Sequence, residues 1–350
     1  MKKNIGIILI VFVIIFCGGF SFYNLKTLNS NKQVQQNLEK AKRTLEAIPV
    51  WHKKIQTKQE LKFGIINDTH VHPVRINRED KSKNSKRKLK EKDVAPIRNF
   101  VSQMNKFEPT MVVHLGDVIE GTGDKDYVGV IGIKLVKEEL NKINVPIYWV
   151  LGNHDLRSVT KEQFKEVLQL DSLFETFDIG DYRFIIMDGN FNPEGGFPSP
   201  KGNKFIPGYV PKDEIKWLKK QLETDKRVFV FLHQGVYTHK LKGDFKKNDN
   251  NLSEEKYKMK QPIVNSKELR DIFKEYRVDG FFNGHMEARY YEKSDFTNYY
   301  SFTGTKKSED YPDSFYEVDI KNGVPDVTMY YIPPNSTQIK KVDFEQIDKN

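Results

Sequence analysis

From Leu61 onward, short apolar runs alternate with stretches whose apolar residues recur every three or four positions. Strands followed by helices give that pattern, so an α/β fold is expected. The runs that read as strands are Leu61–Asn67, Thr110–Leu115, Pro146–Leu151, Tyr182–Met187, Arg227–Leu232 and Gly280–Asn283. Helices are predicted over Val94–Phe107, Val130–Asn141, Lys161–Leu168, Asp213–Leu222 and Lys267–Tyr276. The fourth of these follows Pro211, a good starter, and puts Ile215, Leu218 and Leu222 on one face. The tail adds β-like runs at Tyr299–Thr303, Phe315–Ile320 and Val327–Ile332.

The amino-terminal pattern is different. Lys2 and Lys3 precede Ile5–Phe16, a run of only Gly, Ile, Leu, Val and Phe. Residues 1–23 are therefore expected to be a transmembrane or signal segment, with a length between a signal-peptide core and a full span. An uncleaved signal-anchor is the first expectation, cleavage and secretion the alternative. Lys26, Lys32, Lys40, Lys42 and Arg43 follow the segment, but long domains translocate despite such charges, so the body is expected outside the cytoplasm at the cell membrane. Val34, Leu38, Ala41, Leu45 and Ile48 then fall on one helical stripe that Pro49 stops. Two heptads are too few to argue for a coiled coil. Residues 24–60 read as a helical stalk or linker, 61–335 as the main domain and 336–350 as a polar tail.

Composition narrows the class. Across 350 residues, 38% hydrophobic and 12% aromatic content supplies a core, which excludes whole-chain disorder, and 30% charged residues exclude a polytopic membrane protein. The one cysteine, Cys17, excludes an intramolecular disulfide framework, a cysteine-rich zinc module and a Cys-x-x-Cys redox site. The net charge of +9 is modest for this length and bears on solubility more than on partners. Three stretches read as surface insertions: Arg78–Lys92, Asn190–Gly208 and His239–Gln261. The first holds eight Lys/Arg and three acidic residues but no interleaved aromatics, so a solvated loop is expected and a specific nucleic-acid partner is not.

Five apolar runs end in metal-capable residues. Leu61–Asn67 leads into Asp68-Thr69-His70, Thr110–Leu115 into Gly116-Asp117, and Pro146–Leu151 into Gly152-Asn153-His154-Asp155. Arg227–Leu232 ends at His233, and Gly280–Asn283 leads into Gly284-His285-Met286-Glu287. Ligands of α/β sheets bind outside the carboxyl ends of strands, so these tips can share one site although 36 to 80 residues separate them. Carboxylate, amide oxygen and imidazole without thiolate suit hard or borderline divalent ions. Each piece alone is commonplace: a strand-end Asp caps turns, and a lone buried His bonds backbone. Their order, each behind an apolar run, is what a purely structural reading does not explain.

The order Asp-x-His, Gly-Asp, Gly-Asn-His-Asp, His, Gly-His-x-(His) resembles the calcineurin-like metallophosphoesterase superfamily over about residues 61–335. The resemblance implies a four-layer αββα sandwich of two mixed β-sheets carrying two divalent metal ions, Mn²⁺ favoured over Fe or Zn. It implies that Asp68 and His70 bind the first metal, that Asp117 bridges both, and that Asn153, His233 and His285 bind the second. His154 would face the phosphate, with Asp155 available to orient it. The family's final histidine is replaced by Glu287, whose carboxylate oxygen can serve as a ligand and favours a harder ion. His72 shares strand parity with Asp68 and His70 and is a reserve ligand, whereas His114 reads as a packing histidine. The implied activity is hydrolysis of a phosphate mono- or diester by metal-activated water. The alternative is a membrane-anchored protein of this fold that binds without turnover.

Overall fold

The structure, a computed structural model, describes residues 36, 39, 49–77, 79, 85–121, 126–192, 208–236, 262–287, 289–306, 311–333 and 336–345. The chain divides into two units, residues 1–53 and 54–350. In the first unit Gln36 and Glu39 are helical and exposed, and Val50–His52 form a 3-10 turn behind Pro49. The expected membrane segment at 1–23 and most of the expected stalk lie outside the described residues. Among the described residues no helix is long and apolar enough to cross a membrane.

The second unit begins with β1 (Leu61–Ile66), β2 (Val74–Arg75), β3 (Arg87–Lys88), α1 (Glu91–Phe107), β4 (Met111–His114), α2 (Asp126–Leu140), β5 (Ile147–Trp149) and α3 (Lys161–Leu168). It continues with β6 (Glu175–Ile179), β7 (Tyr182–Ile186), α4 (Lys212–Leu222), β8 (Arg227–Phe231), α5 (Ser266–Glu275) and β9 (Gly280–Asn283). Five strands close it: β10 (Tyr290–Ser294), β11 (Thr297–Ser301), β12 (Phe315–Lys321), β13 (Val324–Tyr331) and β14 (Lys340–Asp343).

Two mixed six-stranded sheets result, ordered β14-β13-β12-β1-β4-β5 and β10-β11-β9-β8-β7-β6. In the first, β1, β4 and β5 are parallel while β12 to β14 extend the other edge antiparallel. In the second, β7, β8, β9 and β11 are parallel, with β6 and β10 antiparallel at the two edges. Both sheets therefore have a block of parallel strands whose carboxyl ends can carry loops to one crevice.

Side-chain alternation along β1 explains the layering. Leu61, Phe63 and Ile65 enter a cluster with residues of the second sheet, where the Phe63 ring meets Phe184, Phe231 and Phe282 edge-on at 5.7–6.1 Å. Ile66 instead joins a cluster with Phe100 and Met104 of α1, Ile133 and Leu140 of α2, and Phe164 of α3. On the second sheet, Phe273 of α5 packs on Phe281 at 5.4 Å, the neighbour of the inward Phe282. α1 starts at Glu91, three residues ahead of the expected helix, with Glu91 and Asp93 in the first turn, where carboxylates favour the helix dipole.

Three expectations need correction. Residues 54–60 are not linker: Thr57 Oγ1 donates to Asp181 Oδ2 at 2.6 Å, and the Tyr182 hydroxyl donates to the Gln59 carbonyl. The polar tail supplies β14 and buries Phe344, because its alternation places Val342 and Phe344 against the core. The basic insertion is not loop throughout: it supplies β3, which pairs with β2 just ahead of it, and its last residues open α1.

Candidate metal centre

The strand ends converge. β1 delivers Asp68 and His70, β4 delivers Asp117, and β5 delivers Asn153 to one side of the crevice. β8 and β9 deliver His233 and His285 from the other sheet. Two backbone hydrogen bonds fix the first pair of loops: Asp68 N donates to Gly116 O and His70 N to Asp117 O, both at 3.0 Å. Gly116 adopts φ +94°, and a Cβ there would come within 2.7 Å of His233 Nδ1, so glycine is required on both counts. Gly152 is needed for close approach, since a Cβ would meet the Asp117 amide nitrogen at 2.1 Å.

Around His70 Nε2 stand Glu287 Oε1 at 3.1 Å, Asp117 Oδ2 at 3.7 Å and Asp68 Oδ1 at 3.8 Å. The replacement carboxylate thus occupies the place where the family pattern puts a histidine. A second cluster lies beyond Asp117. His233 Nε2 is 3.3 Å from Asp117 Oδ1, 3.0 Å from Asn153 Oδ1 and 3.3 Å from His285 Nδ1, which is itself 2.8 Å from Asn153 Oδ1. His233 Nδ1 donates to the Leu115 carbonyl at 2.7 Å, which leaves Nε2 as the ligating nitrogen. Asp117 belongs to both clusters through its two oxygens.

The donors fit divalent cations. They combine buried carboxylates, one amide oxygen and imidazole nitrogens, a set suited to hard or borderline ions. Electrostatics point the same way. Burial, with Asp117 and Glu287 adding to it, pushes the Asp68 carboxyl up to about 7. Burial would lower His233, but the Asp117 carboxylate drives it up to about 9; burial and the positive charge of His233 push His285 down to about 3. His233 in turn holds the Asp117 carboxyl well below the usual carboxylate range, so of these two buried carboxylates it is Asp68 that resists ionisation, and a positive ion between them relieves that crowding.

His154 and Asp155 part company. The His154 ring packs edge-on to His70 with centroids 4.5 Å apart, its Nδ1 lying 2.8 Å from the Glu120 carbonyl and 2.9 Å from Arg157 Nη1. The Asp155 carboxylate is buried and accepts the amides of Ile119 at 3.1 Å and Gly152 at 3.0 Å. It ties the Asp117 loop to the Asn153 loop, rather than orienting His154 as expected. His114 is a packing residue stacked on Trp149 at 5.3 Å; its Nδ1 accepts the Gly116 amide, and burial lowers it to about 3. His72 lines a surface groove and is absent from the donor clusters formed by the described residues.

Sequence reading missed two residues at the centre. Glu120 lies 3.5 Å from His70 Nδ1 and 3.7 Å from His154 Nδ1, so one carboxylate spans a metal-ligand candidate and the candidate acid. Its position three residues past Asp117 was the available signal. Lys306 Nζ donates to the His70 carbonyl at 2.7 Å and pairs with Asp93 at 3.1 Å, a link across 236 residues that no local pattern announces.

A family profile described as calcineurin-like phosphoesterase matches residues 61–286, and the chain belongs to that family. A probable glycerophosphodiester phosphodiesterase of Arcobacter nitrofigilis is 29% identical over 129 residues, 36% of this chain and 42% of the relative. A manganese-dependent ADP-ribose/CDP-alcohol diphosphatase of Arabidopsis thaliana is 28% identical over 97 residues, 26% of this chain and 31% of the relative. The chain thus spans less than half the length of these curated relatives. A dimetal phosphatase from Danio rerio shares the fold, with a TM-score of 0.55 at 15% identity over 85% of this chain and 99% of that one.

Proposed function

We propose that the protein is a metal-dependent phosphoric ester hydrolase that cleaves a phosphodiester or diphosphate linkage with water activated at a two-metal centre. The observation that carries this reading is the pair of donor clusters sharing Asp117. Asp68, His70, Asp117 and Glu287 would hold one ion, and Asp117, Asn153, His233 and His285 the other. Divalent ions bound there supply Lewis acidity that activates water and neutralises phosphoryl charge. Glu287 in place of histidine favours a hard ion, Mn²⁺ before Fe or Zn, in keeping with the manganese named for the diphosphatase relative.

The chain's own residues do the rest. His154, whose Nδ1 lies between the Glu120 carbonyl and the Arg157 guanidinium, would use Nε2 to hydrogen-bond a phosphoryl oxygen or to give a proton to the leaving oxygen. Asp155 braces the two loops that carry Asp117 and Asn153. Phosphodiesters and diphosphates rank ahead of monoesters because the relatives' names describe those bonds. The apolar run behind Lys2 and Lys3 supports anchoring of the protein in the cell membrane, with the hydrolase body outside the cytoplasm.

The test uses the full chain in non-ionic detergent with Mn²⁺, assayed on bis-aryl and mono-aryl phosphates beside Asp117→Asn. The wild type is expected to hold two ions and hydrolyse the diester, and the variant to lose turnover. Wild-type turnover in Asp117→Asn refutes the site; two bound ions without hydrolysis of either ester favour a binding protein.

A further inference from the structure

β5 is the outer strand of the first sheet, so among the described residues no further strand holds its free side. The chain leaving β5 nevertheless carries Asn153, and Asn153 Oδ1 stands 3.0 Å from Nε2 of His233, which follows β8 of the other sheet. One side chain grips both segments. Asn190, just past the end of β7, donates from Nδ2 to the Leu151 carbonyl at 2.7 Å, two residues ahead of Asn153. Its Oδ1 accepts Gln234 Nε2 at 2.8 Å, and Gln234 directly follows His233 in the chain.

The orientation of the Asn190 amide is fixed on both edges. Nδ2 also donates to Asp188 Oδ1 at 3.2 Å, so a carbonyl and a carboxylate both demand its N–H groups, while the Gln234 amide takes its oxygen. Asp188 is itself pinned: Oδ1 accepts Asn190 N at 2.9 Å, Oδ2 accepts Lys161 Nζ at 2.5 Å, and its amide donates to Glu214 Oε1 at 2.8 Å. Asn190, Asp188 and Gln234 are each 2% exposed, so water does not compete for these bonds. Gln234 adds an independent observation. Its Oε1 is buried without a hydrogen-bond partner, a cost that an apolar side chain would avoid, and what the residue gains in exchange is the bond to Asn190. Among the described residues, neither Asn190 nor Gln234 bonds to Asp68, His70 or Glu287, the donors specific to the first ion.

We propose that Asn190 is a positioning residue for the second ion. By tying Leu151 to Gln234 across the two sheets, it sets the spacing of Asn153 and His233, and with it the affinity of that half of the centre for a divalent cation. It acts through those two neighbours and touches neither the ion nor the substrate. The inference rests on the two-metal reading above and confines the effect of Asn190 to one of the two ions.

The experiment strips the full-length chain with EDTA in non-ionic detergent, dialyses it, and titrates Mn²⁺ while electron paramagnetic resonance reports the bound ion. Two binding steps are expected for the wild type, and the step missing in His285→Gln identifies the second site. Asn190→Ala should weaken that step about tenfold or more, the usual cost of losing a residue that orients metal ligands, and leave the other step unchanged. Gln234→Met fills similar space and breaks only the bond on the β8 side, so it should weaken the same step by less. An unchanged near-ultraviolet dichroism spectrum establishes that each variant is folded; if Asn190→Ala does not fold, Gln234→Met decides alone. Wild-type affinity for the second ion in the folded variants overturns the inference and leaves the two-metal reading standing. Equal weakening of both steps also overturns it, because a brace of the fold at large has no preference between the ions. Fewer than two steps in the wild type refutes the two-metal reading, and the role of Asn190 falls with it.

Discussion

Replacing Lys306 by methionine tests how the first metal-ligand loop is held. Lys306 Nζ reaches the His70 carbonyl at 2.7 Å and Asp93 Oδ1 at 3.1 Å. The Asp93 side chain is 1% exposed and that of Lys306 29%. Breaking a buried ion pair by removing one partner costs about 3–5 kcal/mol, because a desolvated charge is left behind. Partial exposure of the lysine reduces that, and about 2–4 kcal/mol is expected for Lys306→Met in urea unfolding of the EDTA-treated protein. A second effect is separable. His70 has φ 42°, a backbone state that its carbonyl hydrogen bond helps to fix, so the variant should also bind Mn²⁺ about tenfold more weakly. Adding Asp93→Asn removes the orphaned charge. The double variant should recover most of the stability and none of the Mn²⁺ affinity. A stability loss below about 0.5 kcal/mol, within the range of ordinary surface substitutions, would show that the pair is not formed. Recovery of metal affinity in the double variant would show that Lys306 acts through Asp93 and not through His70.

Three further outcomes are expected. Glu287→Ala should retain one divalent ion fewer per chain after dialysis, by metal analysis, whereas Glu287→His should keep two; identical stoichiometry in all three proteins removes Glu287 from the shell. Lys54, which donates to the Thr224 and Lys226 carbonyls, is lowered by burial to about 8 from 10.5. A lysine whose folded value lies below its unfolded one binds fewer protons in the folded state, so its contribution to stability rises with pH between about 8 and 10.5. The stability gap between wild type and Lys54→Met should widen by up to about 3 kcal/mol across that window, and a flat gap contradicts the burial assigned here. Chelation of the metals should leave amide hydrogen exchange at Asp68, His70 and Leu115 protected, since their bonds to Gly116 O, Asp117 O and Ile66 O are made by protein groups alone; loss of protection would mean that the ions, not the fold, build these loops.

The parts of this fold legible in the sequence are those that bury a continuous face. β1, β4, β7, β8 and β9 are nearly wholly buried, so their apolar runs stand out, and the chemistry follows them directly. β6, β10 and β14 went unread because edge strands are short and half-exposed, with Glu175 and Asp178, Glu292 and Lys293, Lys340 and Lys341 interrupting the pattern. Asp155 shows a different limit. The Gly-Asn-His-Asp string puts it next to His154, yet its carboxylate turns to the amides of Ile119 and Gly152, and only the packing of two loops decides between those partners. Lys306 and Glu120 gain their roles the same way, by where the chain leaving β11 and β4 carries them and not by their neighbours in the chain.

Backbone conformation links these observations. Five candidate ligands, Asp68, His70, Asp117, His285 and Glu287, have φ between 42° and 64°. A left-handed conformation is disfavoured for a residue with a Cβ, less so for Asp than for a bulkier side chain, so five of them in one site are a concentration of strain. Such strain persists only where the surroundings over-determine it. The surroundings hold the amides of three of the five: those of Asp68 and His70 are taken by Gly116 O and Asp117 O, and that of His285 by both Asp68 oxygens at 3.2 Å, while Asp117 Oδ1 in turn holds the His154 amide at 2.8 Å. The ligand carboxylates are therefore also the braces of the loops that carry the other ligands. A substitution at Asp68 or Asp117 removes a donor and loosens its neighbours in one step, and for that reason losses at these two positions should exceed the sum expected from metal contacts alone.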